Sequence, residues 1–168
     1  MASTQTWSEG NGVNAATVTT SRAEANWKRT DDSTTAYSSS PINSSNNENS
    51  MTKYQCIAFA GTWNSISACT YKIDNNAPAT GLSIVGAVVI AGVTPATTAS
   101  GDPALSTTGV AFNLTTTAMG YAAGTSSSTA SGAINGNALR TQLQTTSAYA
   151  GGPGDITSRT ITASWTES

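Results

Sequence analysis

The chain has 168 residues and a mass of 17.0 kDa, one domain by size or one domain with an arm. It carries 7 Lys and Arg, 9 Asp and Glu and no His, which excludes a Ser-His-Asp triad, a Cys-His pair and a His-ligated metal. A net charge of −2 and a pI near 4.8 leave no basic footprint for nucleic acid.

Met1 to Thr35 differs in composition from the rest of the chain. It holds seven of the sixteen charges (Glu9, Arg22, Glu24, Lys28, Arg29, Asp31 and Asp32) together with Trp7 and Trp27. Asn14 to Thr20 (NAATVTT) is weakly strand-like. The start, MASTQTWSEGNG, lacks the charged and apolar regions of a secretory signal, so synthesis and folding in a cytoplasm are expected. Residues 1–37 therefore read either as an N-terminal arm or as a pair of edge strands. Ser38 to Ser50 (SSSPINSSNNENS) is nearly all Ser, Asn and Pro. Such residues favour turns through side-chain-to-backbone bonds, and a linker loop over 38–50 is expected.

A β-sandwich domain is expected over 51–168. In MTKYQCIAFA, residues Tyr54, Cys56, Ala58 and Ala60 share one face, and Lys53, Gln55, Ile57 and Phe59 the other. GTWN comes next as a turn. SISACTYKID then places Ser65, Ser67, Cys69, Tyr71 and Ile73 on one face, so the two segments read as a hairpin. Asp74 to Gly81 is dense in turn residues. Leu82 to Val93 (LSIVGAVVIAGV) is apolar on both faces, as in a central strand, and too short to span a bilayer. Thr94 to Pro103 reads as a loop, Leu105 to Thr117 as a strand, Tyr121 as the start of another, and Thr125 to Gly132 as a loop. Asn137 to Tyr149 fits a helical turn through Leu139 and Leu143. It also fits a strand face through Leu139, Thr141, Leu143, Thr145, Ser147 and Tyr149, and its Thr content favours the strand. After the GGPGD turn, Ile161, Ala163 and Trp165 alternate with Thr160, Thr162, Ser164 and Thr166. Seven to nine short strands with Gly, Pro and Asn turns predict an all-β fold, a two-sheet antiparallel sandwich.

Charges make up 10% of the chain, against about 25% in an average soluble domain, and 52 Ser and Thr take their place. From Asn75 to Leu139 the only charged residue is Asp102. Either Ser and Thr cover ordinary solvent faces, or much of this surface meets other subunits, where charge is depleted. The second reading is preferred, because a near-neutral free surface would associate.

Candidate sites are few. Asp31, Asp32 and Ser33, or Asp74 with Asn75 and Asn76, could touch a cation, but no calcium-loop spacing is present and turn roles are preferred. Gly10-Asn11-Gly12 and GGPGD lack the lysine of a phosphate loop. The sequons at Asn43 and Asn113 matter only in a secreted chain. Cys56 and Cys69 form no C-x-x-C. They read as buried thiols, or as a pair facing each other across neighbouring strands. Trp165 is in phase with the core. Trp63, in a turn, is expected to cover one end of the sandwich and to serve as a loop platform. Trp7, Arg22, Trp27, Lys28 and Arg29 are the candidate partner interface, since tryptophan beside Arg and Lys is a common anchor. No catalytic, cofactor-binding or metal residue is expected.

The segments KYQCIAFAGTWNSISACTYKID, VVIAGVTPAT and TITASWTES, within 53–98 and 156–168, resemble small β-rich virion proteins of tailed bacteriophages that decorate or cement the capsid. The resemblance implies a jelly-roll-like sandwich, no catalysis, no cofactor, and a homo-oligomer, a trimer by preference, on the outer capsid surface. The partner would be the major capsid protein or another virion protein, with no nucleic acid and no membrane. A tail, neck or fibre component with a receptor- or glycan-binding role, using Trp63, is the alternative. The cysteine pair and the charged N-terminal region have no counterpart in that pattern.

Overall fold

The computed structural model describes residues 3–11, 17–22, 26–43, 48–74, 77–89, 113–115, 124–127, 138–151 and 159–168. Nine strands run in order: β1 (Thr4–Asn11), β2 (Thr17–Thr20), β3 (Lys53–Trp63), β4 (Ile66–Ile73), β5 (Leu82–Val89), β6 (Asn113–Thr115), β7 (Gly124–Ser127), β8 (Ala138–Thr145) and β9 (Ile161–Glu167). The chain is all-β in its described part, with one 3-10 turn at Tyr37–Ser39. The expectations at Glu24, Asn75, Asn76, 94–103, Tyr121 and 152–155, and most of the 105–117 strand, lie outside the described residues.

All pairings are antiparallel and fall into two sheets. The larger runs β2-β1-β3-β8-β5, with β7 also on β3, and the smaller runs β6-β4-β9. β8 meets the first part of β3 (Lys53↔Thr141) and β7 its end (Trp63↔Gly124). Register with β7 slips by one residue between Ala60 and Trp63, around Gly61 at φ 118, a conformation open to glycine. The sequence left residues 1–37 open between an arm and edge strands. In the structure Thr4–Asn11 sits between two strands, with Trp7 opposite Ile57 and Gly10 opposite Val18.

The sheets face each other across an apolar core. Ile57, Phe59, Leu82, Ile84, Leu139 and Leu143 come from the larger sheet; Ile66, Tyr71 and Ile73 come from the smaller. Trp7 meets Tyr71 at 6.0 Å between ring centres, and Phe59 meets Trp165 edge-on at 5.1 Å. Offset and edge contacts of this kind suit the aromatic quadrupole.

Several expectations need correction. SISACTYKID does not form a hairpin with the strand before it: β3 pairs with β1, β7 and β8, whereas β4 pairs with β6 and β9. Asn64 and Ser65 carry the chain from one sheet to the other. Their N–H groups donate to the Ser168 carbonyl at 2.6 and 3.0 Å, so the last residue of the chain satisfies the corner. The physical reason is burial: Trp63 and Ile66 both reach the core only if consecutive strands belong to opposite sheets. The strands of Cys56 and Cys69 are therefore not neighbours in a ladder. The single-face reading of β4 also omits Ile66, which is fully buried. Between Ser67 and Thr70 one extra residue enters β4, and this bulge brings Ile66 into phase with Tyr71 and Ile73. β5, read as central, pairs with β8 alone among the described strands. Thr125 to Ser127, the start of the segment read as loop, belongs to β7 because the end of β3 offers it a partner.

Other readings match. β8 is a strand with Leu139, Thr141, Leu143 and Thr145 buried, but it ends at Thr145, and Ser147 lies in the turn that follows; β9 alternates strictly between half-buried odd residues and exposed even ones.

Candidate functional site

The inward face of the larger sheet has an apolar end and a polar end. Lys53 and Gln55 lie on the same strand face as Ile57 and Phe59, and Glu9 sits opposite Gln55. All three polar residues are buried. Burying charge requires partners, and residues 26–40 supply them by folding over this end. Lys53 Nζ donates to Glu9 Oε1 at 3.4 Å and to the carbonyls of Thr30 and Asp32 at 3.2 Å each. Asn11 Nδ2 bridges Glu9 Oε1 (2.9 Å) and Asp31 Oδ1 (3.0 Å). Lys28, at 0% exposure, donates to Asp32 Oδ1 at 3.1 Å and to the Thr35 carbonyl. Burial pushes the Lys53 ammonium below the usual lysine range, against the opposing pull of Glu9 and Asp31.

Asp32 is the organiser of the covering loop. Its Oδ1 accepts from the amides of Thr34 (2.8 Å) and Thr35 (2.6 Å), and its Oδ2 from the Thr35 hydroxyl (2.9 Å). Burial alone would raise its pKa. The Thr35 amide and hydroxyl, Lys28 and the Thr34 amide outweigh that and hold the carboxyl well below the ordinary range. This is an Asx-type turn whose side chain replaces a backbone acceptor.

Beside the cluster lies an open cleft of about 510 Å³ lined by Arg29, Thr30, Asp31, Asp32, Ser40 and Met51. Its acidic rim is occupied by internal donors. Among the described residues, no three of His, Cys, Asp and Glu converge as metal ligands, and no helix is long and apolar enough to cross a membrane.

Three of the five expected interface residues (Trp27, Lys28 and Arg29) lie in this covering segment, and Arg22 is tied to it, but they do not form a free surface. Arg22 donates through its guanidinium to the Ser33 carbonyl, and its amide donates to the Trp7 carbonyl. Trp27 packs against the core and donates from Nε1 to Thr141 Oγ1 at 3.0 Å. Trp7 is half-buried against Tyr71, and Lys28 is sealed in. Arg29, with 39% of its side chain exposed, pairs through Nε with Glu48 at 3.1 Å. Trp63 is not a loop platform: it ends β3 at 5% exposure, against the edge of Phe59.

The 38–50 segment is tied down in its described part. Ser40 accepts from the Arg29 amide, Glu48 from Thr145 Oγ1, and Ser50 bonds the backbone of Leu143 in both directions. Sequence reasoning missed Glu9 and Lys53. The available signal was a Lys in phase with Ile57 and Phe59 on an otherwise core-facing strand side. The arrangement is chemically a set of internal clamps that holds a loop to a sheet. Comparison with family models, with curated proteins and with solved structures finds no match to this chain.

Proposed function

We propose that this chain is a non-catalytic structural protein of a phage virion, a capsid cement or decoration protein that binds across neighbouring capsid subunits and stabilises the shell. The observation that carries the reading is a hydroxyl-rich outer face on the smaller sheet. Thr162, Ser164 and Thr166 of β9 stand exposed; Ser164 faces Thr70, Thr162 faces the exposed Lys72, and Asp74 follows beyond it. The scarcity of charge in the sequence from 75 to 139 points the same way. Interfaces deplete charge at their centres, and a pleated face dominated by Ser and Thr offers hydroxyls and methyls to a partner with few ions to desolvate. The resemblance of 53–98 and 156–168 to decoration proteins supports the same role and a jelly-roll-like strand path.

Attachment through a free N-terminal arm has no support in the packing, since β1 lies within the sheet. The decisive substitutions therefore lie on the outer face. Thr162→Lys with Thr166→Lys should leave the fold intact and weaken binding to capsids stripped of the protein. Density for the chain on the head shell in a particle reconstruction supports the proposal, and density confined to the tail overturns it in favour of a tail or fibre role. The sugar platform of that alternative loses its aromatic residue, because Trp63 is in the core.

A further inference from the structure

β9 is the last strand of its sheet and pairs only with β4 among the described strands. The direction of its backbone groups is set by its ends. The Ser168 N–H donates to the Ser65 carbonyl at 2.9 Å and its carbonyl accepts from Ser65 at 3.0 Å, while the Thr160 carbonyl accepts from the Asp74 amide at 3.1 Å. Even-numbered residues thus turn their backbone toward β4. In an antiparallel ladder the odd residues, Ile161, Ala163, Trp165 and Glu167, must turn theirs to the opposite edge, which no described strand covers. That edge carries no Pro, Lys or bulge to block it, and the side chains of Ile161, Ala163 and Trp165 are only half-covered. Proteins that stay single commonly blunt such an edge.

The sequence of this edge is complementary to itself. When β9 meets a second β9 antiparallel with Ala163 opposite Ala163, Ile161 faces Trp165 and Arg159 faces Glu167. Thr160 faces Thr166, and Thr162 faces Ser164. The apolar and charged pairs lie on the inner side and the hydroxyl pairs on the outer side. Aromatic with β-branched, Thr with Ser or Thr, and opposite charges are the stabilising cross-strand pairs. Arg159 Nε has no hydrogen-bond partner among the described residues, and Glu167 is the carboxylate that this register places opposite Arg159. Glu167 already accepts from the Ser3 amide and hydroxyl (3.0, 3.1 and 2.6 Å), which fixes its carboxylate in place. Other registers that keep the faces matched, such as Ser164 opposite Ser164, leave Arg159 without a carboxylate opposite.

We propose that two copies of this chain join edge to edge through β9, in the Ala163-centred register, to form one continuous six-stranded sheet from the two smaller sheets. The contact is two-fold and closes at two copies. It replaces the trimer expectation and holds whichever virion position the protein occupies. About six main-chain hydrogen bonds form, from the pairs at 161, 163 and 165.

Sedimentation equilibrium up to about 100 μM, a range that reaches weak pairings, tests this. A doubling of the 17.0 kDa mass is expected. Ala163→Pro deletes an N–H that points away from β4, so the variant should stay folded and sediment as a monomer. Arg159→Glu should weaken pairing at least tenfold, and adding Glu167→Arg should restore part of it. A monomeric wild type, a trimer, or a dimer indifferent to both Ala163→Pro and Arg159→Glu overturns the proposal. If Ala163→Pro fails to fold, the charge-reversal pair decides alone.

Discussion

Lys53→Met is the most demanding test of the polar end of the sheet. The wild-type ammonium is 0% exposed and holds Glu9 Oε1 and the carbonyls of Thr30 and Asp32. Methionine matches the stem but offers no donor. Glu9, only 3% exposed at its side chain, keeps the Asn11 amide but loses its cation, and two carbonyls of the covering loop lose a partner. Removing one member of a buried pair costs about 3–5 kcal/mol, against a total stability of about 5–15 kcal/mol. For a chain of this size that corresponds to a drop of about 6–20 °C in Tm. The double variant Glu9→Gln with Lys53→Met should recover part of the loss, because no uncompensated charge remains, with a coupling of about 1–3 kcal/mol. Urea unfolding followed by tryptophan fluorescence measures wild type, Glu9→Gln, Lys53→Met and the double variant. The pH dependence has a definite sign. Lys53 is depressed below its unfolded value of about 10.4, so the unfolded chain binds the extra proton in the window just below that pH. Stability relative to Lys53→Met therefore rises as pH climbs through that window. A single variant within about 1 kcal/mol of wild type, or a double variant worse than the sum, refutes the account of the cluster as an internal clamp.

Three further outcomes are expected from the same packing. Asp32→Asn should cost about 1–2 kcal/mol near neutral pH, a figure reduced for the 37% exposure of the side chain. The folded carboxyl is depressed, so the wild-type advantage is present above about pH 4 and fades as pH falls further, which denaturant titrations across the acid range will read. Gly81→Ala should destabilise by at least about 2 kcal/mol in thermal melts. Gly81 has φ +75, and an added Cβ would meet the backbone of Ala148 and Tyr149 at 2.3–2.8 Å. Phe59→Ala should cost about 3–5 kcal/mol and Trp165→Ala less, because Phe59 is buried and Trp165 only half so; near-UV circular dichroism should lose its aromatic signal at both.

Taken by itself, the sequence determined the strand character and much of the inward set. Alternation in Ile161–Glu167 is a property of the pleat, and Leu139, Thr141, Leu143 and Thr145 share one face of β8 for the same reason, although Gln142 on the other face is buried as well. Composition likewise marked the scarcity of charge between 75 and 139. Pairing was a different matter. Whether GTWNS closes a hairpin or turns a corner between sheets is decided by what lies opposite, here the Ser168 carbonyl and the facing core. The bulge that carries Ile66 inward is set by the register with β9, almost a hundred residues away, and leaves no local mark. Charged side chains were read as surface because burial normally penalises them. Lys28 and Lys53 escape that rule only because distant segments bring Asp32, Glu9 and backbone carbonyls to them. The N-terminal region, which the sequence left open between an arm and edge strands, is thus held in the sheet by partners that only the tertiary structure could supply.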